Sequence, residues 1–535
     1  MKWSYLAPLV LIAIILCGCV APSPPPEIFP PPPVNVPPEG EETPPPPPAD
    51  TTPPETTIVS APAETVTNGE VSFQWTGSDD TTPTAELVYS YMLEGYDSDY
   101  SPFTTETSKS YTDLPPGSYV FYVMAEDGAG NVDPTPATSH FTVVMEGTGT
   151  LLLLNNSEVN RIAVGADGKS IYALDAVHSR LYKSSYAGRG WVDISAGVSG
   201  GATWNELAVA PDTPDIVAVV TGARTEVSLS TNGGVSSFAM GLAANLAPGE
   251  RVRCLAISPP YGASLREIAV GTSTGNGGGR VWVCVIPSVG WADASSGAPG
   301  WLPGAPPILG ADVFALEYSP AFTGDRVILA IVSSGPPPDT DDTYLYIGQR
   351  GVGGNTIWNG IPGYPVEIGE GDTPGSPLTY ADLTLPSDYN GSDLSSRHVY
   401  ASWSDGPGGS PDDDVYRLDD AVCHRLYVPG GIVSTIAYYG ASGGGKLLAG
   451  ARMGAPGEFS VPVYFTANPQ SAFPNWQTSL KPPTGLNEAQ VAWSPDGKTA
   501  YCGTSTIGGA SNDQSAFSIS TDNGLSWNQI GLIDG

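Results

Sequence analysis

The sequence has 535 residues, so several folded units are expected, because a single hydrophobic core rarely grows beyond roughly 250–300 residues. Its 65 glycines and 54 prolines, with only 14% charged residues, predict a turn-rich, all-β chain. The formal net charge of −34 repels phosphate backbones, so the composition excludes nucleic acid as a partner. For an exported protein, solubility is the simplest explanation of this charge.

Residues 1–19 have the pattern of a signal peptide. A positive start is followed by an apolar run from Leu6 to Leu16, which is too short for a membrane span of about 20 residues. The tetrad that ends in Cys19 resembles the lipobox of bacterial lipoproteins, with Cys17 two residues before the modified position. The resemblance implies cleavage before Cys19 and its lipidation, which would hold the protein at the cell envelope, facing the extracellular or periplasmic side. A plain transmembrane anchor and ordinary secretion are the alternatives.

Residues 20–54 are dominated by proline, including Pro31 to Pro33 and Pro44 to Pro48. Such a segment has too few apolar residues for a core and adopts extended polyproline II, at about 3.1 Å per residue. The sequence therefore predicts a stalk that spaces the folded part from the membrane.

Residues 55–144 alternate apolar and polar side chains in short runs between turn signals, which predicts about seven strands in a β-sandwich. The segments around Trp75, Tyr91 and Tyr119 resemble the fibronectin-III or Ig-like repeats of bacterial surface proteins. The resemblance implies that Trp75 fills the core and that Tyr119 makes a contact of the tyrosine-corner type. The carboxylates Asp79, Asp80, Asp127 and Asp133 have two interpretations, as calcium ligands or as turn residues, and the turn is favoured.

Residues 159–535 repeat one pattern seven times, in which an apolar strand ends in a turn and a second β-rich strand follows. The spacing of about 45 to 66 residues is that of four-stranded blades. The seven copies therefore predict an all-β, seven-bladed β-propeller. Residues 145–158 are either a linker or a closing strand. The run Leu151 to Leu154 could also mean that further blades follow Gly535. The seven copies begin near Arg161, Leu207, Leu255, Leu316, Leu383, Ile436 and Val491.

The last copy contains Ser520, Asp522, Gly524 and Trp527 at the spacing Ser-x-Asp-x-Gly-x-x-Trp. This motif resembles the Asp-box of sialidase-like (BNR) propellers. The resemblance implies a structural role, in which the aspartate caps a tight turn, the glycine supplies a positive φ and the tryptophan packs between blades. Degenerate copies begin at Ser184 and Ser230, and comparable tryptophans are Trp291, Trp358 and Trp476.

The remaining cysteines and histidines do not form a pattern of metal ligands or of a catalytic group. Cys254, Cys284, Cys423 and Cys502 are far apart in the sequence, and the first two fall on non-adjacent strands of one sheet, beyond disulfide range. Free thiols and no metal or cofactor are therefore expected. The histidines lie in separate copies or domains, have no sequence spacing to a serine or aspartate that suggests a catalytic group, and are expected to be surface or strand residues: His140, His178, His398 and His424.

A sialidase would need an arginine triad and an Arg-Ile-Pro signature, and the nearest match in this chain is Arg161-Ile162-Ala163. Xyloglucanase-like propellers need two facing carboxylates. Asp312 and Asp382 are acidic candidates, but the sequence alone does not bring any two together. The acidic clusters 339–342 and 412–414 lie in Pro/Gly-rich loops, where solvated side chains are favoured over a calcium site.

This organisation predicts a non-catalytic surface lipoprotein with a binding, adhesive or envelope-structural role, whose propeller face presents a site for a glycan or protein ligand. The alternative is a surface-anchored carbohydrate hydrolase or lyase. Convergent carboxylates in the central funnel of the propeller would favour the enzyme. A narrow or uncharged funnel would favour binding.

Overall fold

The structure is a computed structural model in which half of the residues lie in β-strands. Within its described part, no helix is long and apolar enough to cross a membrane. Residues 1–48, which include Cys19, lie outside the described part. It covers residues 49–534 apart from 67–68, 113, 115–116, 145–150, 155–156, 289, 303–309, 334–342, 352, 369–377, 406–412, 431, 453–459, 486 and 506–515.

The first folded unit is a sandwich of two sheets, one of three strands and one of four. Alternation in the third strand points Phe73 and Trp75 inward, where both pack against Phe121 from the opposite sheet. Tyr119 stacks on Phe141 in the same core. The first sheet has the order β1-β3-β5 and the second β2-β7-β6-β4, with β1 (Glu55–Ser60), β2 (Thr65–Val66), β3 (Val71–Ser78), β4 (Val88–Glu94), β5 (Ser108–Tyr111), β6 (Gly117–Glu126) and β7 (Ala137–Val143).

The second unit is a β-propeller of seven consecutive antiparallel sheets, numbered blades 1 to 7 in chain order. Blades 1 to 3 contain β9 (Val159–Val164), β10 (Ile171–Asp175), β11 (Arg180–Ser184), β12 (Val192–Asp193), β13 (Leu207–Ala210), β14 (Thr213–Thr221), β15 (Glu226–Ser230), β16 (Phe238–Ala239), β17 (Arg251–Ile257), β18 (Arg266–Ser273), β19 (Val281–Ile286) and β20 (Trp291–Asp293).

Blade 4 has a fifth strand, β25, beside β23, and blades 5 and 6 have four strands each. These blades contain β21 (Asp312–Tyr318), β22 (Val327–Ser333), β23 (Thr343–Arg350), β24 (Thr356–Trp358), β25 (Val366–Glu367), β26 (Tyr380–Thr384), β27 (His398–Ser404), β28 (Asp414–Asp419), β29 (Val422–Arg425), β30 (Val433–Ala441), β31 (Gly444–Ala451), β32 (Val463–Thr466) and β33 (Gln477–Thr478).

The ring is closed between blade 7 and blade 1. The innermost strand of blade 7, β34, contacts β9, and one apolar cluster joins Leu532 of blade 7 to Val159 and Ile171 of blade 1. An additional strand, β8, pairs in parallel with β37 at the outer edge of blade 7. The strands of this closure are β8 (Leu151–Leu153), β34 (Glu488–Trp493), β35 (Ala500–Ser505), β36 (Ala516–Ser520) and β37 (Asn528–Asp534).

Short helical turns occur only between strands in the described part of the chain. One is an α-helical turn, α1 (Phe322–Asp325), and the others are 3-10 turns at Thr84–Glu86, Ser195–Gly197, Leu242–Ala244 and Leu394–Ser396. The first strand of each blade contacts the first strands of both neighbours, so these seven strands form the inner ring of the propeller. The side chains of this ring therefore decide what the centre of the propeller presents.

Candidate functional site

The inner ring encloses a central cavity of about 330 Å³, lined by residues from all seven blades. Its wall mixes small apolar side chains with ionisable and amide groups. Those polar groups come from six different blades, so the site exists only in the closed ring. They are Arg161, Glu206, Arg253, Glu317, Asp382 and Gln490.

β-bulges near the start of the inner strands shape this cavity. In blades 3, 4 and 6 one residue of the inner strand has no partner on the next strand, and that residue is Arg253, Phe314 or Ser434. All three line the cavity. A bulge interrupts the two-residue alternation and redirects a side chain, so it explains how these residues reach the centre.

A compact ion cluster lies on the side of the cavity formed by blades 1 and 2. Arg161 and Glu206 form a bidentate pair, with Nε to Oε2 at 2.6 Å and Nη2 to Oε1 at 3.2 Å. Arg224 adds a contact of 3.1 Å to the same carboxylate. Burial opposes the charge of Arg161, yet Glu206 and Glu488 hold its pKa above the usual range. The negative charge of Glu206 is therefore balanced by the two arginines of the protein that contact it.

Arg253 on β17 lies beside this cluster and has no equivalent partner. Among the described residues, no carboxylate lies within 4.0 Å of its guanidinium, whose carbon is 5.6 Å from the ring centre of Phe314. Burial and the nearby charge of Arg224 lower its pKa. Arg253 can therefore donate its hydrogen bonds to a group that enters the cavity.

Asp382, one of the two acidic candidates from the sequence, lies on the inner strand of blade 5. Its carboxylate accepts hydrogen bonds from the backbone N–H groups of Ile436 and Leu383, each at 2.8 Å. Burial raises the pKa of Asp382 to about 6, although these two donors and the charge of Arg161 lower it. Because Arg161 belongs to blade 1, the two charges influence each other through the cavity.

Glu317 is a third cavity carboxyl, and the sequence predicted neither it nor Glu206. It lies on β21 of blade 4, and its carboxyl is close enough to Asp382 for that charge to act on it. Burial, followed by the charge of Asp382, raises the pKa of Glu317 to about 8. At neutral pH the pair therefore combines a protonated carboxyl with an ionised one, which is an arrangement able to donate and accept protons.

Asp312, the other acidic candidate, does not line the cavity. Its two oxygens accept hydrogen bonds from the backbone of Thr274 at 2.9 Å, Gly277 at 3.2 Å and Gly279 at 3.0 Å. These donors lie in the loop between β18 and β19, so Asp312 joins blade 4 to blade 3. Its role is structural.

Ser520, Asp522, Gly524 and Trp527 meet in the turn between β36 and β37. The Ser520 hydroxyl accepts a hydrogen bond from Gly524 N at 2.8 Å and lies 2.7 Å from an oxygen of Asp522. The same carboxylate accepts a hydrogen bond from Ser526 N at 2.9 Å, and the buried indole of Trp527 donates to Gly524 O at 3.0 Å. Gly524 has φ +82°, where a side chain would be strained.

Blades 1 and 2 repeat this turn in part. Gly188 N donates to Ser184 Oγ and Gly234 N to Ser230 Oγ, both at 2.9 Å. Blade 6 contains a related turn that the sequence analysis missed, in which Thr466 Oγ1 contacts Asn468 Oδ1 at 2.9 Å. Threonine and asparagine stand there where blade 7 has serine and aspartate, which hides the similarity in sequence.

Three other tryptophans do not reproduce the turn. The indole of Trp291 donates to Met240 O at 3.1 Å, that of Trp358 to Ala294 O at 2.8 Å, and that of Trp476 to Leu426 O at 2.8 Å. Each acceptor follows the outer strand of the preceding blade. These tryptophans therefore join neighbouring blades.

Three of the four histidines have an acidic partner that sequence spacing did not indicate, and the expectation of separate copies or domains is wrong for two of them. His398 and His424 both belong to blade 5, where Asp419 contacts them at 2.7 Å and 3.3 Å. His178 contacts Asp175 at 2.9 Å and the Ser157 hydroxyl at 3.3 Å. Both of these contacts use Nδ1, so the serine does not reach the opposite ring nitrogen as a catalytic triad requires.

The acidic clusters differ from the expectation of solvated loops. Asp413 and Asp414 are buried, because the protein supplies their partners: Asp414 accepts backbone hydrogen bonds from Val415 and Val428 and pairs with Arg425 at 2.6 Å. Residues 339–342 and 412 lie outside the described part.

In the sandwich, aspartates fix turns through backbone hydrogen bonds, as Asp79 does for Thr82 N at 2.7 Å and Asp127 for Asn131 N at 2.8 Å. Asp50, Asp79 and Asp80 each bring one carboxylate oxygen within 4.8 Å of the others.

Cys254, Cys284 and Cys502 carry free thiols. Cys254 lies on β17 and Cys284 on β19, and β18 runs between them. Burial raises the pKa of Cys284 to about 11, so its thiol is protonated at neutral pH.

Comparison with known proteins assigns a family only to part of the sandwich. The Y_Y_Y domain family matches residues 81–144. This match covers a small part of the chain and does not place the whole protein in a family. No curated protein matches the sequence.

Solved structures match the chain at low sequence identity and with low TM-scores. A quinoprotein alcohol dehydrogenase-like protein from Bacteroides thetaiotaomicron is 9% identical over 89% of this chain and 96% of that chain, with a TM-score of 0.35. The WD40 domain of SCAP from fission yeast is 10% identical over 71% and 86%, with a TM-score of 0.34. An extracellular domain of a one-component system from B. thetaiotaomicron is 12% identical over 80% of this chain and 51% of that chain, with a TM-score of 0.31. Such low values carry no information about function.

Proposed function

We propose that this chain is a non-catalytic binding protein of the cell envelope whose propeller holds a small polar ligand in its central cavity. The observation that carries the proposal is the set of ionisable groups around one cavity. Arg253 has no carboxylate partner among the described residues, while Asp382 and Glu317 face the same space. Pockets with a few convergent polar groups are the usual form of a ligand site.

The size of the cavity favours binding of a small molecule. About 330 Å³ is near the lower limit of ligand pockets, which measure roughly 300–1,000 Å³. A polysaccharide chain does not fit within it. The ligand that matches the lining carries hydrogen-bond acceptors for Arg253 and donors for Asp382.

The test is calorimetric titration of the full chain with a panel of small polar metabolites. Arg253→Gln should weaken the binding of any ligand found by at least tenfold, because it removes a charged donor from the cavity wall. Arg251→Gln is the matched control, since Arg251 is exposed like Arg253 on the same strand but does not line the cavity. Binding that is equal in both variants and in the parent protein would contradict the proposal.

The alternative function is a hydrolase or lyase for a small glycan, and the Glu317–Asp382 pair is the observation that favours it. In that role Glu317, whose pKa is raised to about 8, is the general acid, and Asp382, whose pKa is raised only to about 6, is the base. The assay is product release from mono- and oligosaccharide substrates. Turnover that disappears in Glu317→Gln and in Asp382→Asn would replace the binding proposal by this one.

The location rests on the lipobox. Lipid on Cys19 holds the protein at the membrane, and the stalk of residues 20–54 carries the folded part outward. Cys19→Ala should abolish metabolic labelling with a radioactive fatty acid. Cys17→Ala is the matched control, because Cys17 leaves with the signal peptide. Labelling that persists in Cys19→Ala would contradict the anchor.

A further inference from the structure

The sandwich contains a second cleft, separate from the propeller cavity. It measures about 400 Å³ and lies between the segment that follows β4 and strand β5. Three tyrosines form much of its wall, and the remaining lining is charged or carries hydroxyl groups. The groups used below are Tyr91, Tyr96, Asp97, Asp99, Lys109 and Tyr111.

Hydrogen bonds hold the floor of this cleft in place. The Tyr111 hydroxyl donates to Asp97 Oδ2 at 2.8 Å, and the same oxygen accepts a hydrogen bond from Leu93 N at 2.8 Å. Tyr96 meets the buried ring of Tyr111 edge to face, with 5.7 Å between ring centres and 83° between planes. The cleft is therefore preformed, so a ligand does not have to order it.

Lys109 places a cation inside the cleft. Its ammonium lies 5.4 Å from the ring centre of Tyr91 and 5.6 Å from that of Tyr111. Within the described part of the chain, no carboxylate lies within 4.0 Å of this ammonium. Cation–π attraction fixes its position, and its N–H donors remain for a ligand.

These charges restrict the class of ligand. A cationic ligand meets the ammonium of Lys109, which already occupies the position over the two rings. An anionic ligand meets Asp97, Asp99 and the formal net charge of −34. A neutral ligand with many hydroxyl groups avoids both penalties and can pair with the carboxylates and with the ammonium.

The exposed tyrosine supplies the apolar contact that such a ligand needs. Tyr96 is 52% exposed at the edge of the cleft, so one face of its ring is open to a ligand while Tyr111 holds it from the other side. One face of a pyranose ring presents C–H groups that pack on an aromatic ring, while its hydroxyls point sideways. Tyrosine is suited to this contact because it gives a large rigid area at low entropic cost.

We propose that this cleft is a binding site for a neutral glycan, with a sugar ring on Tyr96 and its hydroxyls hydrogen-bonded to Asp99 and Lys109. The site does not depend on the propeller cavity, so each can exist without the other. It gives the sandwich a recognition function in addition to its place between the stalk and the propeller.

The experiment uses the full chain on an array of neutral, acidic and amino-sugar oligosaccharides, followed by calorimetric titration of the neutral oligosaccharides retained. Tyr96→Ala should weaken binding at least tenfold, and Asp99→Asn should weaken it to a smaller degree. Tyr427→Ala is the matched control, because Tyr427 is 57% exposed but lies on the propeller. The control should bind within twofold of the parent protein.

Three results would overturn the proposal: no neutral oligosaccharide is retained, only acidic or amino-sugar oligosaccharides are retained, or Tyr96→Ala binds as the parent does. The variant Arg253→Gln separates this site from the propeller cavity. Glycan binding that is lost in Arg253→Gln and kept in Tyr96→Ala would place the glycan in the cavity, which refutes the cleft and supports the function proposed for the propeller.

Discussion

Glu267 is the centre of a buried ion network that joins blade 3 to blade 4, and its replacement by glutamine tests how the blades are held together. The carboxylate contacts Arg350 Nε at 2.9 Å and Arg326 Nη2 at 3.0 Å. The hydroxyls of Tyr261 and Tyr318 lie 3.3 Å from its two oxygens. The substitution keeps the volume of the side chain and removes its charge.

The cost follows from the burial of the partners. The side chains of Glu267 and Arg350 are each 2% exposed, so Arg350 would keep its charge without water or an equivalent counter-ion. Removal of one partner of such a pair costs about 3–5 kcal/mol. Loss of an exposed ion pair lowers the free energy of unfolding by only about 0–1 kcal/mol. Lys498→Gln is therefore the matched control, since Lys498 is 83% exposed in its surface pair with Asp496.

The assay is urea denaturation followed by tryptophan fluorescence. Of the 12 tryptophans only Trp75 lies in the sandwich and only Trp3 in the signal peptide, so the signal reports on the propeller. The double variant with Arg350→Met should recover part of the loss, because it removes the unpaired buried charge of Arg350, while Arg326 is 20% exposed and keeps contact with water. A loss for Glu267→Gln as small as that for Lys498→Gln would refute the reasoning.

The remaining predictions concern the cavity, the turns and the closure. Glu317 and Asp382 have pKa values raised to about 8 and about 6 from usual values of 4.5 and 3.8, so the folded chain holds protons that the unfolded chain releases. The free energy of unfolding should fall between about pH 4 and pH 8, and Glu317→Gln should raise it by at least about 1 kcal/mol at pH 9, measured by urea denaturation. Ser520→Ala should cost about 1–3 kcal/mol in the same assay, because Gly524 N loses its buried acceptor. Leu153→Ala, in the cluster that joins blades 7 and 1, should lower the free energy of unfolding by about 2–4 kcal/mol in the same urea assay. A decrease below about 1 kcal/mol would mean that β8 does not support the closure.

The propeller can be predicted from the sequence because each repeat is marked by residues that are close together in the chain. Apolar inner strands such as Leu255 to Ile257 end in a serine–proline turn, and the second strand begins after it, so alternation and turn residues appear within one short window. Asp382 was named for the same reason, since it lies inside a regular inner strand. Local patterns therefore predict both the fold and one member of the site.

Arg253 and Glu317 could not be found in this way. The bulge at Arg253 and the bulge at Phe314 interrupt alternation, so sequence parity no longer tells which side chain faces the centre. The pair of Glu317 with Asp382 also joins residues of different blades, and no local pattern contains that relation. The blade 6 turn at Thr466 was missed for a simpler reason, because its residues are chemically related to the motif but differ in identity.

The two ends of the propeller are built differently. Each blade is an antiparallel meander, so the turn between its third and fourth strands lies at the end where the inner strand finishes. Hydrogen bonds such as Gly524 N to Ser520 Oγ keep those turns tight. At the opposite end the inner strands begin, with the bulge residue Arg253 and the longer connections between blades. The bulge residue Arg253 therefore lies toward the end where the inner strands begin, while Glu317 lies toward the end where they finish, so the charged groups of the cavity are spread along its length.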